Sequence, residues 1–185
     1  MQRRYNLTHF LLAVVVVLGP ILLMVCVDAQ ARIAFMSDRD WNWEIYVMDN
    51  DGGNPQNITN NPGDDKDPSW SPNGKRIAFS STKNRQTDIY VMDADGGNRR
   101  NITNHPDRDW NPSWSPDGKR IAFVSSRTRD LNRDIYVMDA NGGNPRNLTN
   151  HLEDDEDPAW YNPVLSVAPA DKKLTIWGRL KQVDQ

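Results

Sequence analysis

A block of about 44 residues occurs three times in this chain, and no other feature constrains its fold as strongly. Each copy contains an Ile-Ala-Phe segment, an Ile-Tyr-Val-Met-Asp segment, a glycine-rich turn, an Asn-Ile/Leu-Thr-Asn segment and a Pro-Ser/Ala-Trp segment. The last segments of the three copies contain Trp70, Trp114 and Trp160. A period of this length indicates stacked supersecondary units that bury their apolar faces only against one another.

Each copy has the pattern of short antiparallel strands. The segments that begin at Ile45, Ile89 and Ile135 are apolar at both alternating sets of positions, which favours a sheet covered on both faces. The Gly-Gly turns supply residues that tolerate positive φ between neighbouring strands. Proline beside the Trp residues limits those strands to a few residues. We therefore predict four strands per copy and no helix within the repeats.

Radial stacking of such sheets predicts an all-β fold, a partial β-propeller of three four-stranded blades. A flat β-sandwich is the alternative, but it does not explain a fixed repeat interval. The first copy begins at the Ile33 segment without a Trp segment before it, and the last copy ends at Trp160. These offset ends predict either an open arc or one half of a six-bladed ring formed by a homodimer. A truncated gene product is the third alternative.

The segments 35–39, 45–49 and 114–119 resemble the TolB-type propeller repeat. That resemblance implies a ring of six or more blades and a scaffold role in the cell envelope, with protein partners that include an outer-membrane lipoprotein. TolB also has a separate N-terminal domain, which does not correspond to any part of this sequence. Peptidases with related propellers carry their catalytic residues in a separate hydrolase domain.

We predict a non-enzymatic, exported module that binds a protein or peptide partner. The chain contains no Gly-x-Ser-x-Gly, His-Glu-x-x-His or Walker motif, so no catalytic residue is predicted. The net charge is −3 and no run of Lys or Arg is long enough to follow phosphates, which disfavours a nucleic-acid partner. Cys26 is the only cysteine, so we predict neither a disulfide framework nor a thiolate metal site.

The two ends of the chain depart from the repeat, which we place at 30–163. Residues 1–29 combine basic Arg3 and Arg4 with an apolar run, as in a secretory signal peptide or an uncleaved membrane anchor. A lipoprotein signal acylated at Cys26 is the least favoured alternative. We therefore predict a periplasmic or secreted protein that contacts the membrane only through an uncleaved leader. For the tail, 164–185, we predict one strand and a short helix that cap a blade or dock another protein.

Acidic residues precede each Trp segment and form the candidate binding site. Alignment of the copies places Asp65, Asp109 and Asp155 at one position, and Asp67, Asn111 and Asp157 two residues later. The innermost strand of a propeller borders its channel, so these oxygens are predicted to lie near one mouth and to bind Ca²⁺ or a basic peptide.

Two other interpretations of these polar residues remain open. The acidic side chains can instead cap backbone amides in solvated turns, or serve a metal- or carbohydrate-dependent enzyme. His105 and His151 occupy equivalent positions, where the first copy has Asn61. That exchange favours a turn role over a metal-binding role for both histidines.

Overall fold

The computed structural model describes residues 31–127 and 132–162, which form eleven β-strands and no helix. The strands are β1 (Arg32–Ser37), β2 (Glu44–Asp49), β3 (Gln56–Asn57), β4 (Asp64–Trp70), β5 (Arg76–Lys83), β6 (Gln86–Asp93), β7 (Arg100–Asn101), β8 (Asp109–Trp114), β9 (Arg120–Ser125), β10 (Asp134–Asp139) and β11 (Arg146–Asn147). In these two ranges no helix could cross a membrane. The predicted leader and the predicted strand and helix of the tail lie outside the described residues.

The strands form three separate antiparallel sheets, and each four-stranded sheet joins the Trp segment of one sequence copy to the other three segments of the next copy. Blade 1 has the strand order β1-β2-β3, blade 2 has β4-β5-β6-β7, and blade 3 has β8 to β11 in the same sequence of neighbours. The predicted open, three-bladed β-propeller architecture is therefore confirmed. Blade 1 has three strands because no Trp segment precedes its Ile-Ala-Phe strand. The Trp160 segment, 158–160, which the repeat predicts to be a strand, forms no ladder with any of the eleven described strands.

The hydrophobic core lies between the blades. One cluster joins Ile45 and Val47 of blade 1 to Ile77, Phe79 and Met92 of blade 2. A second cluster joins blades 2 and 3, and its buried members are Ala78, Ile89, Val91, Ile102, Trp114, Ile121, Phe123 and Met138. The sheet faces that meet between neighbouring blades are therefore buried against each other, as the unbroken apolar runs predict.

The glycine-rich turns allow the blades to approach closely. Gly96 has φ +89°, and a Cβ at this position would lie 2.3 Å from the carbonyl oxygen of Ile58 in blade 1. Gly142 has φ +94°, and its Cβ would lie 2.3 Å from the carbonyl oxygen of Ile102 in blade 2. Glycine is thus required at both positions by backbone conformation and by contact with the preceding blade.

Candidate functional site

The acidic residues lie at one end of the sheets, where β4 and β8 begin; we call this the acidic end. The turn between β1 and β2 and the connection from β3 to β4 meet there. Asn42 Nδ2 donates to the carbonyl oxygens of Asn61, at 2.9 Å, and Gly63, at 2.7 Å. The backbone amide of Trp43 donates to Asp64 Oδ1 at 3.3 Å. These bonds hold the start of β4 against blade 1.

Asp65 and Asp109 are fully buried and do not face the solvent. Asp109 accepts two hydrogen bonds from Arg127, from Nε at 3.1 Å and from Nη2 at 2.6 Å. The guanidinium of Arg127 also lies over the rings of Phe123 and Tyr136. Asp109 therefore belongs to a bidentate buried ion pair, which is among the strongest polar contacts that a protein makes.

Asp65 occupies the equivalent position with a weaker set of contacts. Asn61 Nδ2 donates to Asp65 Oδ2 at 2.5 Å, and Arg99 Nη1 lies 3.6 Å from the same oxygen. The other oxygen, Oδ1, is buried without a hydrogen bond to any described residue. Burial raises the pKa of Asp65 above its usual value of 3.8, against the opposing effects of the Ser81 hydroxyl, of Asn61 and of Arg99.

Asp67, Asn111 and Asp157 are brought together by a chain of hydrogen bonds. All three have positive φ, at 53°, 55° and 56°. Ser80 Oγ donates to Asp67 Oδ2 at 2.8 Å and accepts from the backbone amide of Asn111 at 2.9 Å. Asn111 Nδ2 in turn donates to Asp157 Oδ1 at 2.6 Å. Asp67 and Asn111 lie in the β-bulges of β4 and β8, and Asp157 has the same backbone conformation outside any ladder; Asn and Asp tolerate positive φ at such positions.

Asp155 is half-buried, and its contacts differ from those of Asp65 and Asp109. Its backbone amide donates to the carbonyl oxygen of Arg133 at 2.7 Å. The neighbouring Asp154 and Glu156 form ion pairs with the side chain of Arg133. Across residues 31–127 and 132–162, the acidic and histidine side chains do not assemble into a group of three that could hold a metal ion. Calcium binding at the acidic end stays a prediction.

A second set of buried carboxylates lies at this end, and sequence reasoning missed it. Glu44, Asp88 and Asp134 lie in β2, β6 and β10, directly before the Ile-Tyr-Val-Met run of each strand, and are almost completely buried. Asp134 shows the shared arrangement: its Oδ1 accepts from Thr149 Oγ1 and from the backbone amide of His151, each at 3.2 Å. The signal was present in the sequence, because an acidic residue precedes every Ile-Tyr-Val-Met segment.

The two histidines have the predicted turn role. His105 Nδ1 accepts a hydrogen bond from the backbone amide of Asp107 at 3.2 Å, and His151 Nδ1 accepts one from Glu153 at 3.2 Å. In the first copy, Asn61 Oδ1 accepts from the amide of Gly63 at 2.8 Å. All three side chains therefore close the same turn.

Trp41 is the most exposed large apolar side chain at the acidic end, with 99% of its surface accessible. It lies in the turn between β1 and β2, has φ 78°, and donates its amide to the carbonyl oxygen of Asp38 at 3.0 Å. Asp40 beside it accepts hydrogen bonds from Tyr46 Oη and from Asn57 Nδ2. These two hydrogen bonds hold the pKa of Asp40 below its usual value, so its carboxylate is ionised at neutral pH.

The fold and its repeat identify a known family. The sequence profile of the TolB beta propeller domain matches residues 30–168. This chain belongs to the TolB β-propeller family. The resemblance noted from the repeated segments is therefore confirmed. A 46-residue stretch is also 46% identical to the Tol-Pal system protein TolB of Desulfosudis oleivorans, covering 25% of this chain and 10% of that protein.

Solved TolB structures superimpose on the blades. The putative TolB of Agrobacterium tumefaciens aligns with 63% of this chain at 32% identity and a TM-score of 0.57. TolB of Acinetobacter baumannii aligns with 64% of this chain at 30% identity and a TM-score of 0.54. The aligned region spans 44% and 30% of those two chains, so this TolB-family chain corresponds to less than half of either.

Proposed function

We propose that this chain is an exported, non-enzymatic TolB-like module that binds a protein or peptide partner in the cell envelope. Its family membership supports a scaffold role, and the curated relative belongs to the Tol-Pal system. The leader predicted over residues 1–29 supports export to the periplasm or beyond it. We place the binding surface at the acidic end.

Trp41 is the observation that carries this proposal. Neither the core nor the repeat accounts for a fully exposed indole, and its positive φ costs on the order of 1–3 kcal/mol. Arg85 holds the equivalent position in blade 2 with φ 68°, so the turn itself does not require an aromatic residue. Exposed tryptophans are frequent anchors of protein–protein interfaces because they bury a large apolar area at low entropic cost.

The surroundings of Trp41 indicate the chemistry of its partner. The ionised carboxylate of Asp40 adjoins the indole in sequence, and Trp43 follows it with Lys66 Nζ 5.5 Å from its ring centroid. An exposed indole with a carboxylate beside it suits a partner segment in which an apolar side chain adjoins a Lys or Arg. The surface we propose for binding is therefore formed by residues 40–43.

A binding role is also favoured over a catalytic one by the contacts of the buried carboxylates. Asp65 and Asp109 interact with arginines, and Asp134 accepts from backbone and hydroxyl groups that fix the connection between blades. These contacts use the carboxylates to hold the sheets together. No general acid or base is assigned to them.

Replacing Trp41 with alanine is expected to weaken partner binding at least tenfold, about 1.4 kcal/mol or more. The alanine keeps the same backbone strain, so the loss reports the indole alone. Binding of the immobilised, exported chain to the Pal component from the same organism is measured by interferometry, and envelope extract serves as a second source of ligand. Arg85→Ala is the matched control, with an expected change below about threefold.

Equal binding by wild type and Trp41→Ala would contradict the assignment of this surface. Failure of the wild type to retain Pal or any envelope protein would contradict the proposed function. The homodimer predicted from the offset ends is a separate proposal, since it concerns the open edges of the sheets and not residues 40–43.

A further inference from the structure

β1 has an open edge where the other two blades have an additional strand. Among the strands of residues 31–127 and 132–162, β5 lies between β4 and β6, and β9 lies between β8 and β10, whereas β1 pairs with β2 alone. Two apolar side chains of β1, Ile33 and Met36, are each 42% exposed. Their counterparts in blade 2, Ile77 and Ser80, are 0% and 3% exposed. An open edge with exposed apolar residues is a template for pairing with another strand.

Residues 152–160, the terminal segment, form the complementary half of such a ladder. They lie against blade 3 as β4 lies against blade 1. The amide of Asp155 donates to Arg133 O at 2.7 Å, and the amide of Asp65 donates to Trp43 O at the same distance. Asp157 has the bulge conformation of the paired innermost strands, with φ 56°.

The Trp residue of the terminal segment also packs against blade 3, and it shares with Trp114 the contact with an arginine. Trp160 Nε1 donates to the carbonyl oxygen of Ser113 at 3.0 Å. Arg120 lies over the Trp160 ring at 5.1 Å, just as Arg76 lies over the Trp114 ring at 4.9 Å. The terminal segment therefore has the position of an innermost strand, and Asp157 has the backbone conformation of its bulge.

We propose that the terminal segment of one copy of this chain pairs with β1 of a second copy, and that the reciprocal ladder forms across a twofold axis. Blades 2 and 3 lie between β1 and the terminal segment within one chain, so a single copy does not join them. This inference goes beyond the proposed function because it names the occupant of the sheet edges. Two such ladders make an isologous, closed dimer.

The paired blades set the register of this ladder. In blade 2, Asp65 pairs with Ser81 and Trp70 with Ile77; in blade 3, Asp109 pairs with Ser125 and Trp114 with Ile121. The same offsets place Asp155 opposite Ser37, Ala159 opposite Ala34, and Trp160 opposite Ile33. The exposed Ile33 side chain is then covered, as its counterparts are.

Charge complementarity supports this register. Arg39 lies over the rings of Tyr46, at 4.4 Å, and Phe35, at 5.4 Å, the place that Arg127 takes over the equivalent rings of blade 3. Arg127 pairs with the buried Asp109, whereas Arg39 forms no ion pair with any residue in the described ranges. Asp155 of the second copy reaches the position of that missing carboxylate.

A second pair of complementary surfaces lies near the outer strands, one at each end of the arc. Within the chain, Gly96 and Gly142 contact the carbonyl oxygens of Ile58 and Ile102 in the preceding blade. At the two ends of the arc, a Cβ on Gly52 would meet nothing within 4 Å, and Leu148 is 53% exposed where its counterpart Ile102 is 8% exposed. The dimer brings Leu148 of one copy against Gly52 of the other.

One contact of this register is unfavourable, because Asp38 faces Asp154 at the solvent-exposed end of the ladder. Salt screens such exposed like charges, whereas the Arg39–Asp155 contact becomes buried and is screened less. The balance therefore favours pairing.

The test measures the mass of the exported full-length chain by sedimentation equilibrium. Wild type is expected at twice the mass of its chain. Arg39→Glu and Asp155→Arg are each expected to raise the dimer dissociation constant at least about 100-fold, because like charges meet in both ladders. An equal mixture of the two variants is expected to associate again, since Asp155 of the first variant meets the intact Arg39 of the second.

Circular dichroism of each variant checks that it is folded. If either charge reversal fails to fold, Arg39→Gln and Asp155→Asn replace the pair, with an expected rise of about tenfold each. A monomeric wild type would overturn the dimer. The strand that pairs with β1 would then come from residues 163–185 of the same chain or from another protein. Variants that dimerise alone like wild type, or a mixture that stays monomeric, would overturn the register.

Discussion

Replacing Phe79 with alanine is expected to lower the free energy of unfolding by about 4 kcal/mol. Phe79 is fully buried in the cluster between blades 1 and 2, and its ring centroid lies 5.9 Å from that of Tyr90. Because the core lies between sheets, the cavity would loosen the contact between two blades as well as the packing of one. Urea unfolding followed by tryptophan fluorescence measures the change.

Phe35→Ala is the matched control, because Phe35 is the equivalent residue of blade 1 and packs on Tyr46 at 5.6 Å. Phe35 is only half-buried at the open face of the arc, so its loss is expected to cost about 2 kcal/mol or less. The comparison is made at chain concentrations below the dimer dissociation constant, where equal losses at Phe35 and Phe79 would show that the core is not concentrated between the blades.

Replacing Asp109 with asparagine is expected to lower the free energy of unfolding by about 3 kcal/mol. The variant leaves Arg127 as a cation whose side chain is only 11% exposed, without the carboxylate that accepts from both its Nε and its Nη2. The rings of Phe123 and Tyr136 offset part of this loss, because they remain beside the guanidinium. The same unfolding experiment measures the effect.

Asp65→Asn is the matched control at the equivalent position, with an expected change below about 1 kcal/mol at neutral pH. Arg99 lies 3.6 Å from Asp65, and one carboxylate oxygen has no hydrogen-bond partner among the described residues, so less is lost. A loss at Asp65 as large as that at Asp109 would contradict the difference between the two contacts.

The pH dependence at Asp65 has a definite sign. Burial raises its pKa in the folded chain above 3.8, so the protonated form favours folding. This contribution to the free energy of unfolding is fully present below pH 3.8 and is lost as the pH rises through the raised pKa. The stability of Asp65→Asn relative to wild type is therefore expected to improve between pH 3 and pH 7, and a constant difference would contradict the pKa shift.

The architecture of the chain could be predicted from its sequence because each local signal recurs at the same offset. Apolar runs such as the one beginning at Ile89 mark strands covered on both faces, and that strand residue is completely buried. The glycine-rich turns mark positions such as Gly96, where φ is positive and the preceding blade approaches. Because the same local signals recur in all three copies, they support one prediction of the architecture.

The contacts of the candidate site could not be predicted in the same way. Alignment placed Asp65 and Asp109 together, but their arginine partners come from different positions of the repeat. Arg127 follows β9, whereas blade 2 has Lys83 at that position, and Arg99 from the turn before β7 lies near the carboxylate instead. A period in the sequence does not reveal such an exchange, because it is set by which side chains reach one another in space.

Trp41 shows the opposite case, because a residue that departs from the repeat indicates the candidate binding surface. Its position holds Arg85 in the second copy, so the fold alone does not call for tryptophan there. Whether that indole was buried or exposed depended on the turn between β1 and β2, which the sequence pattern does not specify. Residues that break a repeat and lie exposed are therefore the first candidates for binding.

Amide hydrogen exchange at β1 tests most directly whether a second copy completes the open sheet. The exported chain is labelled in deuterated buffer, and peptides covering Arg32–Ser37 and Arg76–Lys83 are compared by mass spectrometry. If strands pair with both edges of β1, its amides are expected to exchange as slowly as those of β5. Arg39→Glu is expected to speed the exchange of β1 and to leave that of β5 unchanged. Rapid exchange of β1 in the wild type at concentrations above the dimer dissociation constant would contradict the completed sheet.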